Sequence, residues 1–210
     1  MIWGCGTGRC GTKSLAKMLG GVHEPQDGIQ VIPYVMGWCP DSQWSVVRPI
    51  TQALRARMDM DTPIAVDPRH SYVIPLIQQI DPDAQFLWIY RDPLLCIESW
   101  LARGNWLPDD PLEGRYHPRG GYPEGWDRIA KGIWFWRAIN SLIRDNLHER
   151  FQVLRCPDDL TEHTNSNTQD TWLKGDWMIL EEDRERVAEG CGFLMAELDY
   201  LREATAGEVL

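Results

Sequence analysis

Hydrophobic residues in this sequence fall into two kinds of pattern along the chain. Short continuous runs predict buried strands, at Met1–Trp3, Ile29–Val35, Pro63–Asp67, Phe86–Tyr90 and Phe151–Arg155. Stripes with spacings of three and four residues predict helices after Gly11, over Ser45–Met58, His70–Ile80 and Trp126–Leu147, and from about Glu181. This alternation predicts an α/β fold with a central, mainly parallel sheet and helices on both faces. No internal repeat or linker divides the sequence, so we expect one domain over residues 1–210.

The first predicted strand leads through a glycine-rich segment into the first helix. Gly6, Gly8 and Gly11 allow the backbone to approach a ligand closely. A helix that begins after such a loop presents backbone N–H groups to an anion. Cationic and hydroxyl side chains accompany the glycines, namely Arg9, Thr12, Lys13 and Ser14. The segment therefore predicts a cradle for a phosphate or a sulfate ester.

Two general nucleotide-binding motifs match this segment only in part. Gly6 and Gly11 have the spacing of the Walker A motif, G-x-x-x-x-G-K-[ST], but Thr12 stands before Lys13. The three glycines also satisfy the dinucleotide pattern G-x-G-x-x-G, for which the cations Arg9 and Lys13 are poorly suited.

A second strand-to-helix junction lies in the middle of the chain, in the sequence AQFLWIYRDPLLCIESW. Asp92 is a favourable N-cap and Pro93 a favourable first helical residue. Arg91 lies at the carboxyl end of the predicted strand, where open α/β sheets bind ligands. Ser99 follows about two helical turns later, so Arg91 and Ser99 are expected to converge on one phosphate.

These two segments resemble the nucleotide-binding motifs of sulfotransferases that use 3′-phosphoadenosine 5′-phosphosulfate (PAPS). The first is similar to the family's 5′-phosphosulfate loop, G-x-x-[RK]-x-G-T-x-[SW]-L, with Cys10 where Ser or Thr is usual. The second is similar to R-[ND]-P-x-[DE]-x-x-x-S, whose Arg and Ser bind the 3′-phosphate, with Leu95 where an acid is common. The resemblance implies a set of PAPS-binding residues: Gly8, Arg9, Cys10, Gly11, Thr12, Lys13, Ser14, Arg91, Ser99 and, through a weaker match, Lys174.

The resemblance also implies the P-loop nucleotide-kinase-like architecture and a reaction. A sulfuryl group would pass from PAPS to a hydroxyl or amine of a small-molecule or glycan acceptor, leaving adenosine 3′,5′-bisphosphate. Arg9 and Lys13 would stabilise the charge that develops on the leaving phosphate. The family needs no metal, and the five His and six Cys show no metal-ligand spacing. A nucleotide-dependent small-molecule kinase that uses Mg²⁺, and a non-catalytic nucleotide-binding module, remain alternatives.

Three residues are candidates for the base that takes the acceptor proton. Glu24 follows the loop helix, in a region comparable to that of the catalytic Glu in tyrosyl-protein and glycan sulfotransferases. His70 precedes Arg91 by 21 residues, close to the spacing of the catalytic His in the cytosolic class, but lacks the Lys-Thr-His context of that class. Asp67 ends a predicted strand nearby. Glu24 ranks slightly above His70.

Composition narrows the partners and the compartment. The net charge of −10 argues against nucleic acid and anionic membranes as partners. No leader sequence, long apolar run or C-x-x-C pair occurs, so we expect a soluble, cytoplasmic protein with free thiols. Cys10 lies beside Arg9 near a helix N-terminus, which predicts a reactive thiolate. The Gly- and Pro-rich segment Asn105–Trp126 is a candidate for lining the acceptor site.

Overall fold

The computed structural model describes residues 1–24, 44–106, 122–147, 150–160 and 179–206, with side chains from residue 48 onward in the second range. The described strands are β1 (Ile2–Gly6), β2 (Val22–His23), β3 (Ile64–Val66), β4 (Gln85–Arg91) and β5 (Phe151–Cys156). The described α-helices are α1 (Thr12–Met18), α2 (Trp44–Met58), α3 (Ile74–Ile80), α4 (Pro93–Leu101), α5 (Arg128–Asn146) and α6 (Glu181–Ala204). A 3₁₀ helix, Pro68–Tyr72, precedes α3.

The five strands form one parallel sheet in the order β2-β3-β1-β4-β5. After β1 the chain continues to β2, which lies at one lateral edge of the sheet. After β4 it continues to β5, which lies at the opposite lateral edge. Adjacent parallel strands with connections in opposite directions leave a crevice at their carboxyl ends, where α/β proteins bind ligands. Gly6 of β1 is in register with Ile89 of β4, so the segments that follow these two strands lie side by side. We call this place the β1/β4 crevice.

The centre of the core is β4. Its residues Phe86–Tyr90 are at most 1% exposed although successive side chains point to opposite faces, so both faces of this strand are covered. On one face, Trp88 Nε1 donates to Asn140 Oδ1 in α5 at 3.1 Å, and the Tyr90 hydroxyl bonds to Asp199 in α6. The predicted α/β class, with a parallel sheet flanked by helices, is confirmed.

One predicted helix, His70–Ile80, is wrong in its extent. The chain forms a 3₁₀ helix over Pro68–Tyr72 and begins a separate helix, α3, at Ile74. Pro75 explains the break, because a proline inside a continuous helix lacks the N–H donor and clashes with the preceding turn. In the first turn of α3 the missing N–H costs nothing.

The other predicted boundaries differ by a few residues. The helix predicted from Trp126 begins at Arg128, because Asp127 is its N-cap and accepts a bond from Ala130 N at 2.8 Å. The last helix begins at Glu181, as predicted. The predicted strand Ile29–Val35 lies outside the described residues, as does most of the segment Asn105–Trp126. Among the described helices, none is long and apolar enough to cross a membrane.

Candidate functional site in the β1/β4 crevice

The glycine-rich loop between β1 and α1 is held tightly against its neighbours. Gly8, Arg9 and Gly11 have φ angles of 74°, 56° and 101°, in the left-handed region that favours glycine. A Cβ atom on Gly6 would lie 2.5 Å from the Ile89 carbonyl oxygen, and one on Gly11 would lie 2.6 Å from Cys156 Sγ. Gly6 and Gly11 are therefore required by the close packing of this loop against β4 and β5, and the predicted approach of the backbone to a ligand stays a prediction.

The structure brings the two sequence motifs into direct contact. Arg9 Nε donates to Ser99 Oγ at 2.9 Å, and Arg91 Nη1 donates to the Arg9 carbonyl oxygen at 3.4 Å. The Cys96 thiol lies 3.8 Å from the same carbonyl. The loop after β1 thus rests on the end of β4 and on α4. In the described contacts Ser99 pairs with Arg9, a residue of the other motif.

Positive charge accumulates at this junction. Burial, together with the neighbouring charges of Arg103 and Arg91, lowers the pKa of Arg9 to about 10. Arg91 Nε is buried and has no hydrogen-bond partner within the described part of the chain. A buried donor without a partner, among like charges, is a site where an anion or ordered water is needed.

The start of α4 confirms the local prediction made for it. Asp92 Oδ1 accepts hydrogen bonds from the N–H groups of Leu94 at 2.9 Å and Leu95 at 3.3 Å, and Pro93 is the first helical residue. This cap fixes the direction in which α4 leaves the sheet. Ser99, further along α4, is 3% exposed and faces the loop after β1.

The first residues of α1 differ sharply in exposure. Lys13 is exposed, whereas Thr12 and Ser14 are buried. Thr12 Oγ1 lies 3.1 Å from Nε2 of His23, the last residue of β2. Lys13 therefore remains accessible to a ligand, while the Thr12 hydroxyl connects the helix to the neighbouring strand end.

The prediction of a reactive Cys10 thiolate is wrong for this conformation. Cys10 is fully buried, and burial raises the pKa of its thiol. The residue packs under the loop, where a Cβ on Gly6 would come within 2.7 Å of Cys10 Sγ. Cys10 therefore supports the loop from below, and only its backbone can contribute to ligand binding.

The three candidate bases occupy very different environments. The His70 ring is fully buried, with Nδ1 2.8 Å from the Gly4 carbonyl oxygen and Nε2 against Arg57; burial lowers its pKa to about 4. Asp67 is also fully buried, and ion pairs with Arg57 and Arg69 hold its pKa at about 2. These contacts leave neither side chain accessible to a substrate, contrary to the role predicted for His70 and considered for Asp67.

Glu24 is the accessible member of the three. Its backbone has a positive φ of 45° and its N–H donates to the Val66 carbonyl at 2.9 Å, which extends the β2–β3 pairing by one residue. The carboxylate is half exposed, and Oε1 lies 3.7 Å from His23 Nε2. Glu24 thus remains a candidate base.

Three residues at the site escaped the sequence predictions. Arg103 adds positive charge beside Arg9, and His23 adjoins Thr12 and Glu24. Ser71 supports the loop: its hydroxyl accepts from Gly6 N at 3.0 Å and donates to Gly6 O at 2.9 Å. Of these three residues, only His23 could have been found from the sequence, because it is adjacent to the candidate base Glu24.

Some predicted site residues cannot be placed. Lys174 lies outside the described residues, and so does the part of the candidate acceptor segment over residues 107–121. From the end of that segment, Tyr122 accepts a hydrogen bond from Trp106 Nε1 at 3.1 Å. Trp126 lines a cavity of about 790 Å³ between α5 and α6. The end of this segment therefore packs against α5.

No family model matches this chain, and comparisons with curated proteins and with solved structures found no match either. A function for this chain must therefore be inferred from its own residues and their geometry.

Proposed function

We propose that this protein is a sulfotransferase that moves a sulfuryl group from PAPS to a hydroxyl or amine of a small-molecule or glycan acceptor. The observation that carries the proposal is the meeting of two separate anion-binding segments in the β1/β4 crevice. Arg9 contacts Ser99 and Arg91, and Arg91 Nε is buried without a partner in the described part of the chain. A ligand with two anionic groups fits such a junction better than a single phosphate does.

The 3′-phosphate of PAPS would be held by Arg91 and Ser99. Arg91 has a buried donor available, and an arginine fork suits a phosphate geometrically. Ser99 lies within hydrogen-bond distance of Arg9, so its hydroxyl and the guanidinium are already oriented by each other. This position at the end of β4 is compatible with the P-loop architecture that the resemblance to sulfotransferases implies.

The 5′-phosphosulfate would lie in the loop that begins at Gly8 and continues into α1. PAPS supplies an activated sulfuryl group, and the protein has to bind it and neutralise the charge on the phosphate that remains. Arg9 and the exposed Lys13 bring positive charge to the two ends of the loop. Gly11 has no side chain, and the side chains of Thr12, Ser14 and Cys10 are buried, so these four residues would contribute mainly through their backbone N–H groups.

Ligand-dependent thermal stability tests this proposal. Adenosine 3′,5′-bisphosphate at about one hundred times its Kd should add about 2.7 kcal/mol to the free energy of unfolding, and raise Tm by about 5–10 °C. ADP should stabilise less, because it lacks the 3′-phosphate. Arg91→Gln should reduce the advantage of the bisphosphate over ADP. Arg150→Gln is the matched control, because it removes an exposed arginine just before β5. This variant should keep the full advantage of the bisphosphate over ADP.

The alternatives give different results in the same experiment. Stabilisation by ATP with Mg²⁺ but not by the bisphosphate would indicate a small-molecule kinase. Equal shifts with AMP, ADP and the bisphosphate would remove the role given to Arg91 and Ser99. Binding of the bisphosphate without sulfate transfer from labelled PAPS to any of a panel of hydroxyl and amine acceptors would indicate a nucleotide-binding module.

A further inference from the structure

His23 and the glycine-rich loop both lie at the carboxyl-terminal edge of the sheet, where the parallel strands end. It is the last residue of β2 and is in register with Val66 of β3, which in turn is in register with Gly4 of β1. Because the strands are parallel, their carboxyl ends face the same side of the molecule. The distance of 3.1 Å between His23 Nε2 and Thr12 Oγ1 connects the imidazole directly to the first residue of α1.

The charges around His23 favour a neutral ring that can still take up a proton. Burial lowers the pKa of His23 from its ordinary value, and Lys13 and Arg69 act in the same direction. Glu24 and Asp67 oppose this and stabilise the protonated ring. The side chain is 26% exposed, so it is partly desolvated yet accessible. A nearby carboxylate favours proton uptake by a neutral imidazole, and Glu24 Oε1 lies 3.7 Å from His23 Nε2.

We propose that His23 accepts the proton of the sulfuryl acceptor, with Glu24 stabilising the imidazolium that forms. The inference rests on the proposed sulfotransferase function and assigns its base. The O–H bond of the acceptor breaks, its proton goes to the imidazole, and its electron pair forms the new bond to sulfur. The bond between sulfur and the phosphate oxygen breaks, and its electron pair stays on the phosphate.

Geometry favours His23 over the other candidates. His70 and Asp67 are completely buried in contacts with Arg57. Glu24 is half exposed, and its carboxylate is 3.7 Å from the His23 ring, close enough to stabilise a charge there. His23 also contacts the first residue of α1, since its Nε2 lies 3.1 Å from Thr12 Oγ1. Histidine also has an ordinary pKa near neutral pH, which suits a base that must both take up and release a proton.

The first test is an NMR titration of the His23 C2–H signal, assigned by its loss in His23→Gln. Saturating adenosine 3′,5′-bisphosphate should raise the pKa of His23 by about half a unit or more, since two phosphates nearby stabilise the cation. Glu24→Gln should lower that pKa in the free protein. Glu197 lies on α6, which packs against β5 at the lateral edge of the sheet opposite β2. Glu197→Gln should therefore leave the pKa of His23 unchanged.

The outcomes separate this inference from the proposed function. If the bisphosphate stabilises the protein but leaves the pKa of His23 unchanged, the inference is overturned while the sulfotransferase proposal stands. If the bisphosphate does not bind, the proposed function fails, and the assignment of a base fails with it. An unchanged His23 pKa in Glu24→Gln would overturn the pairing of the two residues.

Turnover provides the second test. His23→Gln should lower sulfate transfer from PAPS by about 10²–10⁴-fold and remove the acid limb of the pH–rate profile, with nearly unchanged bisphosphate affinity. Glu197→Gln, the control on α6, should have the activity of the wild type. The proposal would be overturned if His23→Gln folds, binds the bisphosphate and keeps both the rate and the acid limb of the wild type. If the acid limb is lost in Glu24→Gln alone, the base is Glu24.

Discussion

Arg9 Nε donates a hydrogen bond to Ser99 Oγ at 2.9 Å, although the two residues are 90 positions apart in the sequence. The bond joins the loop after β1 to the second turn of α4. It holds a flexible arginine in one orientation before any ligand arrives, which reduces the entropy lost on binding. The fold itself therefore brings the two predicted anion-binding segments together.

Ser99→Ala should weaken binding of adenosine 3′,5′-bisphosphate by about 10–100-fold, because a hydrogen bond to a charged group is lost and Arg9 is released from its position. Isothermal titration calorimetry measures the change. Ser141→Ala, a serine on α5, is the matched control and should bind like the wild type. Similar losses in both variants would show that the Arg9–Ser99 bond has no role in binding.

The described cysteines should resist alkylation in the native protein. Cys5, Cys10, Cys96, Cys156 and Cys191 are all buried, and burial raises the pKa of each thiol. Mass spectrometry after treatment with iodoacetamide should find these five unmodified until the protein is unfolded. Rapid modification of Cys10 in the native protein would mean that the loop opens far beyond the described conformation.

Asp67→Asn should destabilise the protein by about 3–5 kcal/mol. The carboxylate is fully buried and forms ion pairs with Arg57 at 2.9 Å and Arg69 at 2.7 Å, so its removal leaves a buried arginine charge without compensation. Urea denaturation measures the loss. Asp83→Asn removes the carboxylate of an exposed pair with Arg150 and should change stability little. Equal effects would contradict the structural importance of the buried cluster.

Stability should fall as the pH decreases from about 6.5 to about 4. His70 has a folded-state pKa of about 4, below the ordinary 6.5, so in this range the unfolded chain binds a proton that the folded protein does not. The contribution of His70 is complete above pH 6.5 and is lost by pH 4, a change of about 3 kcal/mol. Urea titrations across this range should show the slope in the wild type and a smaller one in His70→Asn. Equal slopes in the two proteins would contradict the burial of a neutral His70.

Two glycines of α6 provide a comparison of packing. Gly192→Ala should stabilise the protein by about 0.5–1 kcal/mol, because a Cβ there meets nothing within 4 Å and alanine favours the helix. Gly190→Ala should instead destabilise it, since its Cβ would lie 2.7 Å from a methyl group of Ile133 in α5. Thermal unfolding should give a higher Tm for Gly192→Ala and a lower Tm for Gly190→Ala than for the wild type. A stabilising Gly190→Ala would show that α5 and α6 can separate at little cost.

Local patterns were enough to predict most of the elements. The buried strand β4, the Asp92–Pro93 start of α4 and the beginning of α6 at Glu181 are all as expected. Each depends on residues within one or two turns of each other, through side-chain spacing or capping. The predicted helix from His70 was wrong because Pro75 determines where α3 can begin. The helical spacing of the apolar residues on both sides of Pro75 suggested one continuous helix.

The sequence by itself determined the α/β class, the two strand-to-helix junctions and the identity of the cationic and hydroxyl residues they contain. Only the tertiary structure decided which of these residues meet and which are accessible. The sheet order places β1 between β3 and β4, so Ser71 and Ser99 support the loop from 65 and 90 positions away. It also buries His70 and Cys10 and brings His23 beside Thr12. Burial and charge partners come from contacts between strands and helices distant in the chain, and local periodicity carries no information about those contacts.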